Sequence, residues 1–184
     1  ASGQGFTNIV AARKYARDGG FDLDAKAVEE AIEAGVIAEA RRIVEQAETP
    51  ALAYDALVDL YGRQPLLAQR TSTSVEQQAY STPAPLAFIA SQRAGVAGAA
   101  SVLEPSAGNG MLLMEADPAA VTAIEMNPDR AERLRAFLGP LADIREGDAL
   151  VKMGGVSHTE VVNANPPLGK VFDGGATRTF DLGN

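Results

Sequence analysis

Three features of the sequence predict an α/β fold, a parallel doubly wound sheet behind an all-helical segment. Residues 1–70 carry apolar side chains at helical spacing, whereas residues 71–184 alternate short apolar runs with helical stretches. The run Val102-Leu103 ends in an acid, Glu104, and passes at once into a turn built on Gly108 and Gly110. Three later stretches, at the right distances, make the signal specific. They are Val121-Thr-Ala-Ile-Glu-Met-Asn127, Glu146-Gly-Asp-Ala-Leu150 and Val161-Val-Asn-Ala-Asn-Pro-Pro-Leu168. Such an alternation puts a ligand at the C-terminal ends of the strands.

The helical segment (1–70) reads as three helices. Thr7 caps the first, through Ile9, Val10, Ala12 and Tyr15, which stops at Gly19-Gly20. Asp22 or Asp24 caps the second, with Val28, Ala31, Ile32, Val36, Ile37, Ala40, Ile43 and Val44 inward. Glu29, Glu30, Arg41 and Arg42 form its solvated face. Thr49-Pro50 opens the third, with Leu52, Ala56, Leu57 and Leu60 inward and Gly62 closing it. This segment is a packing module or an oligomer contact, without chemistry of its own.

A polar linker at 71–78 opens the second domain, 71–184. Thr82-Pro83 is an N-cap pair for a helix through Leu86, Phe88, Ile89 and Ala90 that ends near Gly95. Strand 101–104 then precedes helix 109–116, and strand 121–125 precedes helix 128–138. A short strand lies near 142–146 and another at 159–163, and beyond Pro167 the chain reads as loop with no further strand. The domain stops just after its last motif, and the ends at Ala1 and Asn184 suit a part of something longer.

Composition narrows the classes. The chain has 184 residues, 46% hydrophobic and 22% charged, as soluble globular proteins do. It has no run long enough to span a bilayer, no signal peptide and no cysteine, which suits a cytoplasmic protein and excludes thiolate metal sites. A net charge of −8 argues against a complete nucleic-acid surface, because phosphate contacts need Lys and Arg. His158 is a surface loop residue, and no cluster has metal-ligand spacing. The Gly-Asn-Gly turn lacks the Lys-Ser/Thr of a P-loop.

The glycine turn lets backbone approach a ligand, and a helix starting there points its N–H groups at it. A dinucleotide loop wants a third glycine where Leu113 stands, so the loop suits a ligand without a pyrophosphate. S-adenosylmethionine is the commonest of these. Glu125, ending its strand, accepts from ribose hydroxyls, although a strand-end Glu also caps the following turn. Asp148 accepts an adenine amine while Ala149 offers its N–H; Gly-Asp is also a plain turn signature. In Asn165-Pro166-Pro167 two prolines remove both N–H donors, leaving acceptors for one planar amino group. Holding an amine this way favours its attack on a methyl sulfonium by positioning and electrostatics, without a covalent intermediate. A Pro-Pro turn that merely closes a strand is the structural alternative.

The series Tyr80-Ser-Thr-Pro83, Glu104-Pro-Ser-Ala-Gly-Asn-Gly110, Ile124-Glu125, Gly147-Asp148, Asn165-Pro-Pro167 resembles the amino-group (N6-adenine) DNA methyltransferases, over residues 76–170. More narrowly, the helical segment followed by the stretch from Arg70 to Pro83 resembles the methyltransferase module that precedes a strawberry-notch-type helicase in large phage- and plasmid-encoded proteins. The resemblance implies a Rossmann-like class I S-adenosylmethionine-dependent methyltransferase fold with a partial sheet. Tyr80, Thr82 and Pro83 would border the methionine part of the cofactor, and Glu104, Ser106, Ala107, Gly108 and Gly110 would cradle it. Glu125 would hold the ribose, Met126 would pack near the adenine, and Asp148 with Ala149 would read its edge. Asn165, Pro166 and Pro167 would be catalytic on adenine N6. DNA would be the partner, through segments outside this chain, with a helicase domain in the same polypeptide and no membrane.

Two departures stand out. The family places Tyr or Phe after the second proline to stack on a flipped base, where this chain has Leu168. Stacking contributes roughly 1–3 kcal/mol per base, and Phe172 is the nearby substitute for substrate binding. The second half of the family's sheet and its target-recognition domain are also missing. The alternatives are therefore a degenerate, non-catalytic scaffold of a larger phage-type protein, or an amino-methyltransferase acting on RNA or on a protein glutamine.

Overall fold

The computed structural model describes residues 6, 8–22, 24–64, 82–156, 158–166, 172–173 and 176–177. Helix α1 spans Ile9–Asp18 and is capped by Asn8, whose side chain accepts from Ala11 N at 2.9 Å. The cap expected at Thr7 lies outside the described residues. Helix α2 (Ala25–Gln46) is capped by Asp24, and α3 (Pro50–Arg63) by Thr49 with Pro50 in its first turn. Gly62 does not close α3, which runs on to Arg63. Leu52 is exposed; Ala53, Leu57 and Leu60 make the inward stripe. The face of α2 read as solvated is not all so. Glu30 is buried at 7% exposure, and the Arg41 guanidinium lies 5.6 Å from the Phe137 ring centroid.

Helix α4 (Ala84–Ala94) starts after Pro83, with no side-chain cap, and ends on Gly95 in the left-handed conformation. Pro85 carries no N–H, so the entry has fewer orphan donors for Thr82 to satisfy. Strands β1 (Val102–Glu104), β2 (Val121–Glu125), β3 (Asp143–Glu146) and β4 (Val161–Val162) form an all-parallel sheet in the order β3-β2-β1-β4. Val102 lies level with both Val121 and Val161. Helix α5 (Pro128–Leu138) joins β2 to β3, and the short α6 (Ala149–Lys152) follows β3. The architecture is α/β, as expected. After β1 the chain builds outward to β2 and β3, then returns to place β4 on the other side of β1. That reversal is a topological switch point, the place at the strand ends where α/β sheets commonly bind ligands.

Two further expectations fail. The helix foreseen at 109–116 is a single 3-10 turn, Met111–Leu113. Gly108 and Gly110 both hold positive φ, Pro118 follows closely, and Met111, Leu112, Leu113 and Met114 are all buried. A run apolar on every side has no solvent face to give a surface helix, so it packs as a plug. Beyond Pro167 the chain also does contain strands, β5 (Phe172–Asp173) and β6 (Ala176–Thr177), paired antiparallel.

The core has two clusters. One joins Ile37, Ala40, Leu57 and Leu60 of the helical segment to Phe88 of α4 and to Met111, Leu112 and Met114. The other lies between sheet and α5 and takes in Val102, Val121, Ala123, Leu134 and Leu113. The turn after the glycine loop thus serves both. Among the described residues, no helix is long and apolar enough to cross a membrane.

Candidate functional site

The ends of β1, β2 and β4 and the start of α4 bring most of the sequence-predicted residues to one edge of the sheet. Glu104 closes β1 fully buried. Its Oε1 accepts from Ser106 N and Ser106 Oγ, both at 3.2 Å, while Oε2 is buried without a partner among the described residues. Burial pushes the carboxyl up to about 7; the Ser106 bonds oppose this, and the Glu125 charge adds to it.

The glycine loop is held mainly by β2. Ala107 N donates to Ile124 O at 2.9 Å, and Gly108 N donates to Glu125 Oε2 at 2.7 Å. Glu125 Oε1 accepts from Asn127 N at 2.8 Å. Both oxygens of the predicted ribose acid therefore engage the protein's own backbone, and the turn-capping role is present in full. The two glycines differ in purpose. A Cβ on Gly108 would meet nothing within 4 Å, whereas one on Gly110 would lie 2.6 Å from Leu134 Cδ1 and 3.2 Å from Phe137 Cδ1. Gly108 borders open space, and Gly110 makes room for α5.

Met126 is 61% exposed at the end of β2. Asp148 is exposed, and its Oδ1 caps α6 by accepting from Leu150 N at 2.9 Å; Ala149 is half-buried as the first residue of that helix. A helix this short, and a 3-10 turn after the loop, give no sizeable dipole to direct at an anion.

At the end of β4, Asn165 and Pro166 are exposed, and Asn165 Nδ2 donates to Thr82 Oγ1 at 3.1 Å. Thr82 is half-buried and Pro83 is the N-cap residue of α4. Below them lies a buried polar cluster that sequence reasoning missed. Asn163 Nδ2 donates to Ser91 Oγ at 3.1 Å and to Leu112 O at 3.0 Å, and Ser91 Oγ donates to Leu112 O at 3.1 Å. It ties β4 to α4 and to the turn after the glycine loop. Tyr80, Pro167 and Leu168 lie outside the described residues, as does the side chain of Phe172.

No protein-family model, curated protein or solved structure matches this chain.

Sequence reasoning also missed Glu30, Asn109, Asn127 and Arg130, which surround the loop. Asn127 had a signal, since Asn before Pro128 at a strand end is an N-cap pair. Its Oδ1 does accept from Arg130 N at 3.2 Å. Glu30 had none: it follows Glu29 in a long helix, where either acid suits a solvated face. Among the described residues, no group of three or more His, Cys, Asp or Glu is placed to hold a metal ion.

Proposed function

We propose that this chain is the cofactor-binding part of an S-adenosylmethionine-dependent methyltransferase with a class I, Rossmann-like sheet. The acceptor is an exocyclic amine, adenine N6 of DNA in the first place, and the compartment the cytoplasm. The observation that carries this is the bond from Asn165 Nδ2 to Thr82 Oγ1. With its amino group committed to Thr82, Asn165 has a carbonyl oxygen left, an acceptor without a partner among the described residues. An acceptor beside a proline carbonyl is the set that a planar NH2 group needs.

The residues at the edge fit the cofactor. Glu104 Oε2 is a buried acceptor lacking a donor, and Gly108 borders open space. Glu104, Ser106, Ala107, Gly108 and Asp148 would hold it, with Met126 exposed at the β2 end for an apolar ring. Bound there, S-adenosylmethionine supplies an electrophilic methyl group on sulfur. Asn165 and Pro166 orient the acceptor amine by accepting hydrogen bonds from its N–H groups, which favours electron density on its nitrogen. DNA would reach the site through segments outside this acidic chain, with a helicase domain in the same polypeptide.

A specific observation favours a second function, a non-catalytic binding or scaffold domain. Glu125 already accepts Gly108 N on one oxygen and Asn127 N on the other, so a ribose hydroxyl would have to share an oxygen with the backbone. Calorimetric titration of S-adenosylmethionine and S-adenosylhomocysteine separates the two, with Asp148→Ala and Glu125→Gln as controls. Micromolar binding weakened in both variants supports the methyltransferase; tritiated methyl transfer to DNA, RNA and protein in parallel then identifies the acceptor. No binding by folded protein leaves the scaffold.

A further inference from the structure

The glycine loop is enclosed by a ring of contacts that passes outside the α/β part of the chain. Gly108 N donates to Glu125, Glu125 accepts from Asn127 N, and Asn127 Oδ1 accepts from Arg130 N. Arg130 Nε and Nη2 donate to Glu30 Oε1 at 3.2 and 3.0 Å. Glu30 Oε2 accepts from Arg133 Nη1 at 3.1 Å and from Asn109 Nδ2 at 2.9 Å. Asn109 is the residue after Gly108, so the ring closes. Every member but one comes from the loop, β2, the β2–α5 turn or α5; Glu30 comes from α2.

Asn109 is 4% exposed, and its Oδ1 is buried without a partner among the described residues. The bond to Glu30 is the side chain's one tether there. An amide buried on a single hydrogen bond loses its reason to stay buried when that partner goes. Its neighbours Gly108 and Gly110 both sit in left-handed backbone and offer little resistance to a change of loop shape.

We propose that Glu30 is a positioning residue of the ligand site, by which the helical segment holds the Gly108–Gly110 loop in shape and so sets ligand affinity. The affinity half rests on the cofactor function proposed above; the loop half does not. Docking of α2 is thereby part of building the site, and any partner that pulls α2 away loosens the loop.

The test uses the whole 184-residue chain with Glu30→Ala, Glu30→Gln and Asn109→Ala. Glu39→Ala serves as control, because Glu39 pairs with Arg42 on the same helix at the surface. Amide hydrogen exchange needs no ligand. Glu30→Ala and Asn109→Ala should speed exchange at Gly108 and Gly110 at least tenfold while the β2 amide of Ala123 keeps its rate. Glu30→Gln should recover part of the protection, and Glu39→Ala should change nothing. S-adenosylmethionine affinity should fall at least tenfold in Glu30→Ala and partly return in Glu30→Gln, a rescue that general destabilisation would not give. Should Glu30→Ala fail to fold, Asn109→Ala cuts the ring from the loop side. Unchanged loop exchange overturns the inference whatever the ligand does, and so does faster exchange with unchanged affinity. Faster exchange in a protein whose wild type binds no S-adenosylmethionine defeats the cofactor function while the loop coupling stands.

Discussion

Asn165 donates its side-chain N–H to the hydroxyl of Thr82 at 3.1 Å, across 83 positions of sequence. The bond joins the end of β4 to the entry of α4, with the Asn165 amide nitrogen turned to the hydroxyl. It is exposed, so its net contribution to stability is about 1 kcal/mol or less. Thr82→Val and Asn165→Ala should therefore unfold within that margin of wild type in urea. Under the proposed function, methyl transfer should drop about tenfold in Thr82→Val, survive in Thr82→Ser, and vanish in Asn165→Ala. Equal activity in Thr82→Val and wild type would sink the positioning role of the hydroxyl.

Glu104 gives the protein a pH signature. Its ordinary value is 4.5 and its folded value about 7, raised first by burial. Between those values the folded chain holds a proton that the unfolded chain has released. Stability therefore falls as pH rises through that window, by roughly 3 kcal/mol in all, and levels off above it. Thermal melts between pH 4.5 and 8 should follow this slope, and Glu104→Gln should flatten it and melt higher than wild type at pH 8. A ligand that donates to Oε2 should restore stability most at the alkaline end.

The two loop glycines should separate in mutagenesis. Gly110→Ala meets Leu134 at 2.6 Å and holds φ at 95°, so steric crowding and backbone strain combine. A loss of roughly 3 kcal/mol is expected. Gly108→Ala meets only the strain of φ 56°, about 1–2 kcal/mol, because nothing lies near its Cβ. It should lose ligand binding out of proportion to stability. Denaturant midpoints set beside titration calorimetry decide this.

Strands β1 and β2 were legible because each is an apolar run closed by an acid at a turn, Glu104 before Pro105 and Glu125 before Met126-Asn127, whereas β3, Asp143-Ile-Arg-Glu146, is marked mainly by Gly147 after it. Helix starts at Asp24 and Thr49 were equally legible, a side-chain oxygen reaching a backbone N–H three residues on; the same signal at Asn127 was there to be read and was missed. The stretch from Met111 to Met114 was misread because burial on all sides abolishes the periodicity on which helix recognition depends. Thr82 looked like a cap, since the same hydroxyl suits a helix N-terminus or a distant amide, and only the fold decides which is near. Glu30 shows the limit most sharply. A carboxylate on a polar helix face is indistinguishable in sequence from one that meets two arginines and a buried asparagine.

The turn from Met111 to Met114 faces two ways, with Leu113 under the sheet and its three neighbours against α3 and α4. Trimming the chain back to the start of α4 would bare Phe88, Met111, Leu112 and Met114 to water directly behind the site. The helices up to Arg63 are thus the missing wall of the sandwich, and helices and sheet should melt in one cooperative step.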